Sequence, residues 1–245
     1  MAPRRFDHLP LSAWRWLALP AWCVYRPLVA LRNRAYDLGW RPVLRLPVPV
    51  ISVGNLAVGG TGKTPVVAWI SDHLRKRGHH PTVLMRGYRG DATGNDEARL
   101  LDLPVICNPN RIAAGQRAVS EGASCLVLDD GFQHRRVHRD LDVVLIDATR
   151  PWAGGAVLPL GLLREGLGAL QRAHVIVVSR SDQVESQALA AITTRLAAYG
   201  KPVLLARHAP ATLQPLSGGD SVPPTSLAGR TVLLASGLGN PLSFE

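Results

Sequence analysis

Lysine is nearly absent from this chain. Of its 28 basic side chains only Lys63, Lys76 and Lys201 are lysines, which leaves 28 − 3 = 25 arginines. A lysine inside a glycine-rich loop is therefore not a by-product of a lysine-rich surface. Cysteine is scarce as well. Cys23, Cys107 and Cys125 are scattered, without the spacing of a metal site, and read as reduced thiols of a cytosolic protein. No apolar run reaches the roughly 20 residues with few charges that a spanning helix needs. The most promising stretch is interrupted by Arg15, Pro20, Arg26 and Pro27. It also lacks the clean apolar core and small-residue cleavage site of a secretory signal. No internal repeat or low-complexity block occurs. The basic residues form no stripe with regular aromatic interleaving outside the N-terminal segment, which argues against nucleic acid as a partner.

What is present is a strongly basic chain of 245 residues with a formal net charge of +10. That balance suggests an anionic partner: nucleic acid, a membrane surface or a phosphorylated substrate. The length fits one large or two small domains, and the apolar content is ample for a core. Residues 1–47 stand apart. Trp14, Trp16, Leu17, Leu19, Trp22, Val24, Tyr25, Leu28, Val29 and Leu31 interleave with Arg15, Arg26, Arg32 and Arg34. Tryptophan and arginine on a broken amphipathic helix predict a segment lying in a membrane interface. The alternative is a helix packed on the protein's own core.

The rest of the chain is organised around residues 48–65. Val48 to Val53 has the β-branched content of a buried strand. It runs into Gly59-Gly60-Thr61-Gly62 and then Lys63-Thr64. After Pro65 a helical pattern continues through Arg77 and stops at Gly78. Strand, glycine loop, Lys-Thr and helix is the layout of a phosphate-binding P-loop. Glycines let backbone N–H groups converge on phosphate oxygens, and the helix N-terminus adds its positive dipole end. Lys63 can reach the β- and γ-phosphates, and the Thr64 hydroxyl can ligate Mg²⁺. The pattern G-x-x-x-x-G-K-[ST] asks for glycine at position 57, where this chain has Ala57.

Further strands are expected at residues 82–85, 103–107, 124–130, 142–147, 174–180, 202–206 and 231–235. Helices are expected at 111–121, capped by Asn110, and at 185–199. Strands alternating with helices predict a mostly parallel sheet covered on both faces. The strand Ser124 to Asp130 ends in Asp129-Asp130, the Walker-B arrangement that places a carboxylate near P-loop Mg²⁺. The turn that follows, Gly131-Phe132-Gln133-His134, is rich in groups that bind metal or position substrate. Asp96-Glu97 sits downstream of the strand expected at 82–85, near the strand end where α/β folds place chemistry. Residues 217–225 read as an exposed Gly/Ser/Pro loop.

These motifs, in this order, resemble the tetraacyldisaccharide 4'-kinase (lipid A 4'-kinase) family. The resemblance rests on SVGNLAVGGTGKTP at 52–65, RGY at 86–88, Asp96-Glu97, DDGFQHRRVHRDLDVVLIDA at 129–148, LPLGLLRE at 158–165 and SGLGNP at 236–241. It implies a P-loop kinase on the cytoplasmic face of the bacterial inner membrane, a monomer attached through residues 1–47. The reaction would move the γ-phosphoryl of ATP, with Mg²⁺, to the 4'-hydroxyl of a tetraacylated glucosamine disaccharide 1-phosphate, an anionic glycolipid. It also implies a kinase core at 48–216 and, from 217 to 245, the start of a C-terminal subdomain that in the family continues past the Gly-Asn-Pro motif.

Roles follow the motifs. Lys63 and the backbone of Ala57, Val58, Gly59, Gly60, Thr61, Gly62 and Thr64 would hold the phosphates. Thr64, Asp129 and Asp130 would serve Mg²⁺, and Gln133 and His134 the phosphate or metal region. Asp96 would be the base at the sugar hydroxyl. Arg111, Arg164 and Glu165 would contact the substrate head group. Two other classes of function stay open on the residues alone: a P-loop GTPase or ATPase acting in metal insertion or membrane localisation, and a nucleotide-binding membrane protein without turnover.

Overall fold

The structure, a computed structural model, describes residues 13–87, 103–209, 212–216 and 218–233. Seven strands form one sheet: β1 Val50–Asn55, β2 Pro81–Met85, β3 Val105–Cys107, β4 Cys125–Asp129, β5 Leu141–Asp147, β6 Val175–Ser179 and β7 Val203–Leu205. Their order is β3-β2-β4-β1-β5-β6-β7, and every pairing is parallel. Parallel strands must be covered on both faces, and the helices do this. Helix α2 (Lys63–Lys76) packs over β1, β2 and β4 on one face, where Val67 meets Val53, Val83, Val127 and Leu145. Helices α3 (Arg111–Ser120) and α4 (Ser186–Ala197) cover the other face, through Ala114 and Ala118 on Leu84, Leu126 and Leu128, and through Ile192 and Leu196 on Ile176 and Val178. As expected, the Asn110 side chain caps α3, accepting from the backbone N–H of Ile112 and Ala113.

Helix α1 (Ala13–Asp37) departs from expectation. It runs unbroken through Pro20 and Pro27. An interior proline costs about 3 kcal/mol, so contacts elsewhere must hold the helix together. Both prolines lie on its exposed side. The opposite side docks on the sheet domain. Trp22 and Tyr25 pack against the core, Tyr36 is buried, and the Tyr25 hydroxyl donates to the Arg164 carbonyl at 2.9 Å. Arg135 ties down the C-terminal end, donating to the Asn33 carbonyl at 2.9 Å and pairing with Asp37 at 2.6 Å. No described helix is long and apolar enough to cross a membrane.

A second correction lies near the end of the described chain. The strand expected at 231–235 is absent over 231–233, where Leu233 is 96% exposed. A strand exists only by pairing, and among the described residues these have no neighbour in the sheet, whose described edge is β7. Residues 234 and 235 lie outside the described residues.

Candidate nucleotide site

The register sets the carboxyl ends of four strands side by side: Val53 pairs with Asp129, Asn55 with Leu145, and Asp147 with Ser179. In open parallel sheets this edge binds ligands. The glycine loop leaves β1 at its centre. Gly59 (φ 118°) and Gly62 (φ 78°) adopt left-handed conformations that a side chain would oppose. Helix α2 begins at Lys63, two residues earlier than Pro65, so Lys63 and Thr64 lie in its first turn. Proline is tolerated in a first turn because no helical bond is lost there. Ala57 fits without strain because it forms an antiparallel bridge with Leu163. The neighbouring backbone closes the same zipper: Val58 N–H donates to the Leu162 carbonyl at 2.8 Å, and Arg164 N–H to the Leu56 carbonyl at 2.7 Å. A residue in extended pairing has no need to be glycine.

The acidic turn is brought in by Phe132. Its side chain is fully buried, with the Arg172 guanidinium over the ring at 4.7 Å. This close approach explains Gly54, where a Cβ would lie 2.5 Å from the Phe132 Cβ and 2.8 Å from its backbone nitrogen. With Phe132 anchored, Asp130 sits in the left-handed region (φ 54°) and faces the loop. Its carboxylate lies 3.5 Å from Lys63 Nζ and accepts from Arg164 at 2.6 Å. Arg164 also donates to the Gln133 side-chain oxygen at 3.2 Å. The Gln133 amide nitrogen in turn donates to the Asn55 carbonyl at 2.8 Å and to Glu165 at 3.0 Å. The structure thus gathers Lys63, Asp130, Gln133 and Arg164 at the mouth of the loop.

Glu165 and Arg111 do not fit the head-group contacts expected of them. Glu165 is 2% exposed, and its oxygens accept from Asn33 at 2.7 Å, from Gln133, and from Arg172 at 3.0 and 2.9 Å. It is an internal hub joining α1, the acidic turn and the Leu167–Arg172 turn, with no oxygen offered to a head group. Arg111 is 4% exposed and donates to the carbonyls of Asn108 and Asp129. Burial lowers its affinity for a proton, against the opposing charges of Asp129 and Asp130. It props the end of β4 from within. His134 is half-buried. Desolvation, followed by the charges of Arg111, Arg139, Arg136 and Arg32, lowers its pKa to about 4. It is therefore a neutral imidazole at physiological pH. Asp96, Glu97, Tyr88 and the 236–241 motif lie outside the described residues.

Sequence reasoning passed over the residues behind the loop. Asn55 donates from its side chain to the Thr61 hydroxyl at 2.8 Å, and Ser179 donates its hydroxyl to the Thr61 carbonyl at 2.9 Å. Arg180 donates to the Gly60 carbonyl at 3.1 Å and pairs with Asp147. The signal that could have found them is their position at strand ends, beside the loop in a parallel sheet.

Sheet, loop and acidic turn define an α/β protein with a P-loop nucleotide site. More particularly, the chain belongs to the tetraacyldisaccharide-1-P 4'-kinase family (LpxK), whose model matches residues 14–245. It is similar to tetraacyldisaccharide 4'-kinases of two Anaeromyxobacter strains, at 41% identity over 246 residues (strain Fw109-5) and 40% over 245 residues (strain K). These alignments cover 91% and 90% of this chain, which spans 66% and 65% of those relatives, just under two thirds of their lengths. Among solved structures it is similar to LpxK from Aquifex aeolicus in complex with ATP, with a TM-score of 0.69 and 29% identity over 89% of this chain and 72% of that one.

Proposed function

We propose that this chain binds ATP and transfers its γ-phosphoryl group to the 4'-hydroxyl of a tetraacylated glucosamine disaccharide 1-phosphate. The observation that carries this reading is the meeting of Lys63, in the first turn after the loop, with Asp130 at the end of the adjacent parallel strand. This occurs in a chain matched by the family along nearly its whole length. The ATP bound to the Aquifex relative supports the choice of nucleotide.

In this mechanism the loop N–H groups and Lys63 hold the β- and γ-phosphates. The oxygen donors Thr64, Asp129 and Asp130 suit Mg²⁺, a hard cation that takes oxygen ligands; when bound, it would neutralise charge developing on the phosphates. Asp130 is held by Lys63 and Arg164, cations of the kind that would also meet the nucleotide phosphates. Asp96 takes the proton of the 4'-hydroxyl. The sugar oxygen then bonds to the γ-phosphorus as the bond to the bridging oxygen breaks, releasing ADP.

Helix α1 supports a membrane location. Val24, Leu28 and Leu31 share one helical face and are 59%, 58% and 61% exposed, opposite the face that packs on the core. A helix apolar on both sides has one side left for another apolar medium. The substrate's acyl chains reside in such a medium, and we assign this face to the cytoplasmic leaflet.

The test is transfer of labelled γ-phosphate from ATP and Mg²⁺ to the tetraacyl disaccharide 1-phosphate in detergent micelles. Bis-phosphorylated lipid is expected from the unaltered chain and none from Lys63→Ala. Nucleotide consumption without lipid product would refute the kinase reading in favour of an NTPase. In Asp96→Ala, kcat should fall by at least about 100-fold with ATP affinity kept. A defect in binding alone would remove Asp96 from the role of base.

A further inference from the structure

The loop is held through its carbonyls by side chains at the end of β6. Ser179 ends β6, and its hydroxyl donates to the Thr61 carbonyl at 2.9 Å. The next residue, Arg180, donates to the Gly60 carbonyl at 3.1 Å. Arg180 is 9% exposed and adopts a left-handed backbone (φ 53°), rare for a residue bearing a Cβ. The Asp147 carboxylate, at the end of β5, orients it. One oxygen pairs with the guanidinium, and the other accepts from the Thr149 N–H at 3.0 Å and hydroxyl at 2.7 Å.

These contacts have a directional consequence. In a trans peptide the carbonyl and the following N–H point in opposite directions. Pinning the Gly60 carbonyl toward the sheet turns the Thr61 N–H outward, and pinning the Thr61 carbonyl does the same for Gly62. Neither N–H has a protein partner among the described residues. Two adjacent donors therefore face the concave side of the loop, their directions fixed by contacts within the protein. Preorganised donors cost no reorganisation on binding.

We propose that Arg180, set by Asp147 and assisted by Ser179, is a positioning clamp that orients the loop's peptide N–H groups toward nucleotide phosphates. This rests on the nucleotide site proposed above but not on the identity of the lipid, so the test reads phosphate binding directly. Calorimetric affinity for ATP and for inorganic tripolyphosphate would be measured on the full chain and on Arg180→Ala, Arg180→Lys, Asp147→Asn and Ser179→Ala, with thermal melting of each. Arg180→Ala is expected to weaken both ligands by the same factor, about 10- to 100-fold, as for misdirected hydrogen bonds to a charged group. Arg180→Lys, which keeps a donor in reach of Gly60, should recover part of the loss. Ser179→Ala, which strands no charge, should weaken both ligands about 5-fold in a folded protein. It keeps the test informative if Arg180→Ala fails to fold. Unchanged affinity in folded Ser179→Ala and Arg180→Lys, or loss of ATP binding without loss of tripolyphosphate binding, would overturn the clamp. Failure of the unaltered chain to bind either ligand would overturn the nucleotide site itself. Binding without lipid phosphorylation would overturn only the kinase reading.

Discussion

Replacing Glu165 by glutamine keeps the shape of a buried side chain and removes its charge. The magnitude follows from its surroundings. Glu165 is 2% exposed and accepts from Asn33, Gln133 and Arg172 at 2.7 to 3.0 Å. All of these partners are donors, so a glutamine amide must turn its own N–H toward one of them. Breaking a buried ion pair from one side typically costs about 3–5 kcal/mol. Arg172 retains 18% side-chain exposure and its stacking on Phe132 at 4.7 Å, which places the loss near the lower end, about 3 kcal/mol. In urea, at a slope of about 2–3 kcal/mol/M, the unfolding midpoint should fall by about 1–1.5 M with the slope unchanged. Asn33→Ala removes one donor to the same carboxylate and should cost about 1.5 kcal/mol. The double variant should lose less than the sum, because the two side chains share a hydrogen bond. A loss below about 1 kcal/mol for Glu165→Gln, or strict additivity with Asn33→Ala, would refute a dry hub linking α1 to the acidic turn.

Gly54→Ala places a Cβ 2.5 Å from that of Phe132, so the acidic turn must shift; a loss of about 1–3 kcal/mol in chemical denaturation and a raised KM for ATP are expected. His134 is held neutral, with its pKa lowered from 6.5 to about 4 by burial. The unfolded chain then binds the extra proton first. Stability should be full above pH 6.5, fall by about 2–3 kcal/mol as pH drops toward 4, and level off below. His134→Asn should flatten that interval in urea titrations against pH. Leu28→Asp with Leu31→Asp should change stability by less than about 0.5 kcal/mol per site, since both residues are exposed. The same pair should reduce sedimentation with anionic phospholipid vesicles about tenfold or more.

The sheet was legible because its strands are short apolar runs rich in β-branched residues, set between turn and helix signals. The loop was legible for the same local reason: glycines, lysine and threonine act there through their own backbone and reach. Asn110 capping α3 is equally local. The strand expected at 231–235 shows the limit of that logic, because its apolar run is as good as that of β7 but pairing depends on a neighbour elsewhere.

What only the tertiary structure decided are the roles of residues whose partners lie far along the chain. Glu165 follows a basic residue in a plausible head-group motif, yet it faces inward because Asn33, 132 positions earlier, and Gln133 converge on it. Arg111 looked like a substrate contact and is a buried prop because β4 ends beneath it. Ala57 breaks the P-loop pattern harmlessly because Leu163 pairs with it. Ser179 and Arg180 drew no notice in sequence, yet they lie against the loop because β6 is two strands from β1. Local sequence determined which segments become strand, loop and helix, since propensity and periodicity act over a few residues. The use of each charge was decided by long-range packing, since an ionised group is governed by whichever partners the fold brings within a few ångströms.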